Sequence, residues 1–84
     1  PEAAEFALVA HERALALQHP READTVNAAA ELAFKLQRFE RARELALELL
    51  EMARDSELGW MLGNAQYDGH RILGLIALAQ GDVA

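Results

Sequence analysis

Cysteine is missing from the 84-residue chain, which excludes a disulfide framework, a thiolate nucleophile and any zinc site built on cysteine. Strand-forming material is almost as scarce: valine, isoleucine and threonine together supply six residues, too few for an all-β or α/β fold. Basic charge is also short, with 8 lysines and arginines against 14 acidic residues and a net charge of −6. As a whole the chain repels phosphate backbones and anionic lipid, so neither a nucleic acid nor a membrane surface is expected as its partner. The longest wholly apolar run, Ile72 to Ala79, is far shorter than the roughly 20 residues that cross a bilayer. The chain opens on Pro1 and shows no basic segment followed by an apolar one, so no signal peptide is visible. These features lead us to expect a cytoplasmic protein, with the sequence a piece of a longer one.

What is present is helix-forming. Alanine, leucine, glutamate and arginine make up 49 of the 84 residues. The expected fold is therefore all-α, with four helical segments in one small domain over residues 1–84. In the first, Glu2 to Gln18, the residues Ala3, Phe6, Ala7, Ala10, Ala14 and Leu17 recur at helical intervals and predict the buried face. His19-Pro20 ends that segment, because the residue before a proline is pushed out of the helical region. The second, Arg21 to about Leu36, buries Val26, Ala29, Ala30, Ala33 and Leu36 by the same spacing and turns Asp24, Asn27, Glu31 and Lys35 outward. Gln37-Arg38 interrupts the pattern. The third, Phe39 to about Ala53, has a broad core face of Ala42, Leu45, Ala46, Leu49, Leu50, Met52 and Ala53. A stripe of carboxylates from Glu40, Glu44, Glu48, Glu51 and Asp55 lies opposite and reads as a solvated surface.

Asp55-Ser56 is suited to cap the fourth segment, Glu57 to Gln80. That segment holds Gly59, Gly63, Gly69 and Gly74, each of which costs a helix interior about 0.5–1 kcal/mol relative to alanine. Close approach of a neighbouring helix is the simplest reason for them, and Gly74 is the expected contact. Gly81-Asp82 stops the helix.

An internal repeat connects the segments. Ala30-Glu31-Leu32-Ala33-Phe34 aligns with Gly74-Leu75-Ile76-Ala77-Leu78, and Gln37-Arg38-Phe39 with Gly81-Asp82-Val83, at an offset of 44 residues. A helix-turn-helix unit recurring at such a period marks a helical solenoid. In this pattern the chain resembles tetratricopeptide repeat (TPR) proteins. Val26 stands at the family's tryptophan position, Ala29-Ala30 at its leucine-glycine pair, Ala33 at its tyrosine, Ala42 at the first alanine of the second helix and Ala46 at the phenylalanine. In the next unit His70 takes the tryptophan place, Leu73-Gly74 match the leucine-glycine pair, and Gly81-Asp82 form the turn. The run Trp60-Met61-Leu62-Gly63-Asn64-Ala65, followed by Leu73 to Leu78, is similar to uncharacterised bacterial TPR-like proteins. The resemblance implies antiparallel helix pairs in a right-handed solenoid, with the first helix of each unit lining a groove.

Groups for catalysis or metal binding are few. His11 and His19 are eight apart and His70 is distant, so no helical ligand pair exists. Ser56 and Thr25 lie near helix starts without a base beside them in sequence. No enzyme activity, metal or cofactor is expected. The groove that the resemblance implies would carry Asp24, Asn27, Glu31 and Lys35 beside Trp60, Asn64, Asp68 and Arg71. Two amides, mixed charge and an aromatic suit an extended peptide. The expected function is a non-enzymatic protein-interaction module, the alternative a regulatory domain holding a small ligand between helices. Leu73, Leu75, Ile76 and Leu78 would lack the cover of a following helix, so self-association through the fourth segment is expected as well.

Overall fold

The computed structural model describes residues 2–18, 22–55 and 63–81. These are all-helical, without strands: α1 (Glu2–Leu17), α2 (Ala23–Lys35), α3 (Phe39–Asp55) and α4 (Gly63–Ala79). None of the described helices is long and apolar enough to cross a membrane. Asp55, expected to help cap the fourth segment, is the last residue of α3. Its proposed capping companion Ser56 and the first part of that segment, Trp60 included, lie outside the described residues.

Each turn has a local cause. At the α1–α2 corner the Gln18 amide works in both directions, its Nε2 donating to Thr25 Oγ1 at 3.1 Å and its Oε1 accepting from the Glu22 backbone N–H at 3.1 Å. Glu22 itself makes no side-chain capping bond. At the end of α2, Gln37 takes a left-handed conformation (φ 61°), while its N–H bonds to Phe34 O and that of Arg38 to Ala33 O. This pair of bonds satisfies the last carbonyls of the helix and reverses the chain within three residues. Phe34 and Phe39 then close the turn, their ring centroids 5.8 Å apart. Gly81 repeats the device after α4, with φ 72° and its N–H on Leu78 O.

The helices pack in a zigzag. α2 lies against α1, α3 and α4, while α3 packs along both α2 and α4. Arg43 reaches Gln80 and Gly69 lies on Ala46 and Leu50, so α3 and α4 run antiparallel. The Cα atoms span 36 × 35 × 15 Å, a slab two helix layers deep. Its core joins Val26, Ala29, Ala30 and Ala33 of α2 to Ala42, Leu45, Ala46 and Leu49 of α3, then to Ala65, Ile72 and Ile76 of α4. The expected faces of α2 and α3 are thus the buried ones, with Leu36, Leu50, Met52 and Ala53 at their half-buried edges.

The expected face of α1 is overturned. Phe6 and Leu17 are 74% and 86% exposed, and Ala3 and Ala10 face solvent, whereas Leu8 (3%) and Leu15 (1%) enter the core. The physical reason is that alanine, spread all around this helix, marks no side of it. The two large residues one heptad apart, Leu8 and Leu15, bury more apolar area and decide the orientation. Two forked ion pairs then fasten α1 from outside. Arg38 Nη2 donates to both Glu5 carboxylate oxygens at 2.7 and 2.6 Å, and Arg41 Nε and Nη2 donate to Glu12 at 2.7 and 2.5 Å. The Glu12 hydrogen bonds raise the Arg41 pKa above the ordinary arginine value against the opposing effect of burial.

The close helix approach falls at Gly69, not at Gly74. A methyl group added to Gly69 would stand 2.8 Å from Leu50 Cδ2, 2.9 Å from Leu50 Cγ and 3.0 Å from the Ala46 carbonyl oxygen. One added to Gly74 would meet nothing within 4 Å among the described residues. Ala30, the residue aligned with Gly74, is fully buried, but no described helix lies over the corresponding side of α4. The two glycines therefore respond to alanine with opposite signs. Gly69→Ala is expected to destabilise by about 1–3 kcal/mol despite the gain in helix propensity, and Gly74→Ala to stabilise by up to about 1 kcal/mol. Urea denaturation of the two variants checks this.

Candidate functional site

Of the eight residues expected to line a groove, three are in contact among the described residues. Arg71 Nη2 donates to Glu31 Oε1 at 2.5 Å across α2 and α4 and stands 3.6 Å from Asp68 Oδ1 one turn earlier. The Glu31 hydrogen bond holds the Arg71 guanidinium above its ordinary pKa, outweighing desolvation. Arg71 is thus a bridge between helices, and alanine there would disturb the fold as well as any ligand.

Lys35 is exposed one turn beyond Glu31, and Asp24 is exposed at the start of α2. Asn27, one turn before Glu31 on the same face, is half-buried, and its Oδ1 is buried with no hydrogen-bond partner among the described residues. Asn64 belongs to the first turn of α4, but its side chain, like all of Trp60, lies outside the described residues.

Between these helices runs an open-sided cleft of about 210 Å³, lined by Glu31, Phe34, Lys35, Arg71, Ile72 and Leu75. Its apolar floor of Phe34, Ile72 and Leu75 escaped the sequence reading. The available signal was the helical wheel: Phe34 is three residues from Glu31 and Leu75 four from Arg71, at the border between core and polar faces. A larger cleft of about 350 Å³ lies between α3 and α4, against Leu50, Ala53, Arg54, Gln66 and His70, and contains none of the expected groove residues.

Two of the other side chains weighed for chemistry have structural partners. His11 Nδ1 lies 2.7 Å from the Ala7 carbonyl oxygen, one turn back, and Thr25 is held by Gln18. Among the described residues no group of three acidic or histidine side chains is placed to hold a metal ion. Comparison with protein-family models, curated proteins and solved structures finds no match for this chain.

The Glu31–Arg71 bridge is partly open to solvent, which limits its strength. A raised arginine pKa stabilises the fold fully below the ordinary arginine value and is lost only above it, so Arg71 titration gives no loss of stability between about pH 6 and 10. Salt is the better probe. A double-mutant cycle with Glu31→Gln and Arg71→Gln is expected to give a coupling of about 0.5–1 kcal/mol at low ionic strength, falling in 1 M salt.

Proposed function

We propose that this chain belongs to a TPR-like array of helix pairs, a right-handed solenoid, and works as a non-enzymatic protein-interaction module that takes an extended peptide across α2 and α4. The recurrence of the same left-handed helix stop at Gln37 and Gly81, 44 residues apart, supports the repeat. The observation that carries the functional reading is the Asn27 side chain. A buried acceptor without a donor costs about 1–3 kcal/mol, and a turn of the half-buried Asn27 amide would bring its Oδ1 to the backbone N–H groups that an extended peptide offers at regular intervals. Asn27 lies on the face of α2 that also carries Glu31 and Lys35, which border the cleft. The open side of this cleft favours an extended chain over a small molecule, whose binding calls for an enclosed apolar pocket. The chain's net charge of −6 favours a protein over a nucleic acid.

The test begins with photo-crosslinking residues placed singly at Asp24, at Lys35 and, as a control on another surface, at Glu44. The account expects one protein partner captured from Asp24 and Lys35 but not from Glu44. Replacing Asn27 by alanine then removes an unsatisfied acceptor, so the melting temperature should hold or rise while affinity for that partner falls at least about fivefold. Equal capture from Glu44, or unchanged affinity in Asn27→Ala, would contradict the reading.

A further inference from the structure

The outer face of α4 has features that neither the core nor the α2–α4 cleft uses. Tyr67, His70, Gly74, Leu78 and Gly81 fall within roughly 80° of one another around the helix and its closing turn. All five are exposed, Tyr67 by 67% and Leu78 by 66%. Gly81 has a local reason to be glycine in its positive φ, and Gly69 has one in its contact with α3. Gly74 has neither, although glycine weakens a helix interior. Its missing side chain leaves a notch between His70 and Leu78 on a ridge that begins at Tyr67.

We propose that this ridge is an interface for a second copy of the chain, the two α4 helices crossing antiparallel about a two-fold axis at Gly74. Such an interface must be self-complementary, because the same patch is presented by both partners. Pairing residues symmetrically about Gly74 places Tyr67 opposite the partner's Gly81, His70 opposite the partner's Leu78, and Gly74 opposite the partner's Gly74. The largest side chain meets the smallest, and the two backbones come closest where both lack a Cβ.

Charge selects the same face. Two chains of net charge −6 repel unless they meet where acid is absent. Among the described residues no Asp, Glu, Lys or Arg stands on the ridge. At its α2 edge Asp68 and Glu31 are matched by Arg71, and at its α3 edge Glu40 is matched by Arg43, which also reaches Gln80, while Arg54 shares a cleft with His70. The exposed carboxylates of Glu44 and Glu51 lie elsewhere on α3, and the half-buried Glu5 and Glu12 belong to α1. Exposed Phe6, Val9 and Leu17 on α1 form a second apolar surface, but Arg13 on the same helix is exposed with them.

Sedimentation equilibrium of the chain over about 5–300 µM tests the proposal, a range suited to a contact smaller than a standard interface. The expected result is a monomer–dimer equilibrium that Gly74→Leu and Leu78→Glu each shift at least about tenfold toward monomer. Both substitutions fall on exposed positions, so both variants should keep wild-type helicity, and the Phe6→Glu control should dimerise like wild type. A wild-type chain that stays monomeric throughout would overturn the proposal and leave the ridge to a different protein. So would dimers that survive Gly74→Leu and Leu78→Glu, or dimers abolished by Phe6→Glu.

Discussion

Helix α3 must be buried on two sides at once, and the rest of the structure follows from how it meets that demand. Its face of Ala42, Leu45, Ala46 and Leu49 is fully buried, shared between α2 and α4. Alternating small and large residues let α2 approach through its own alanines and let α4 settle Gly69 onto Ala46 and Leu50. Such interlocking suits a chain of 84 residues, which has little apolar area to spend on imperfect packing. The acidic residues Glu40, Glu44 and Glu51 are left on the exposed side of α3.

From this arrangement the candidate site follows. Because α2 and α4 both pack against α3 and touch one another, they lie close enough for Arg71 to reach Glu31. The bridge borders an open-sided cleft floored by Phe34, Ile72 and Leu75. Asn27 stands one turn away with a buried acceptor lacking a partner, the kind of local cost that folds tolerate where something else is to bind. The proposed interaction role rests on that acceptor, and the proposed self-association on a separate surface of α4.

Legibility in the sequence depended on contrast. In α2 the apolar Val26, Ala29, Ala30 and Ala33 alternate cleanly with Asp24, Asn27, Glu31 and Lys35, so periodicity alone separates core from surface. In α1 alanine occurs on every side, and a stripe including Phe6 and Leu17 scores as well as the true one through Leu8 and Leu15. Only contact with α2 and the ion pairs from Arg38 and Arg41 select between them. Gly69 and Gly74 are likewise indistinguishable by spacing, since the helix that makes one indispensable lies outside the local pattern. The polar residues of the cleft were visible as a helical face. Their pairing was not, because sequence spacing says nothing about which residue of another helix stands opposite.

The central claim is that α2, α3 and α4 form one cooperative unit around α3, with α1 attached by fewer buried side chains. Native-state hydrogen exchange reads this amide by amide. The account predicts that Ala33, Ala46, Leu49, Ile72 and Ile76 exchange only through global unfolding, with one common free energy and denaturant slope, while the amides of α1 open at lower cost. Exchange of Ile72 and Ile76 through a separate, cheaper opening that leaves α2 and α3 protected would contradict it.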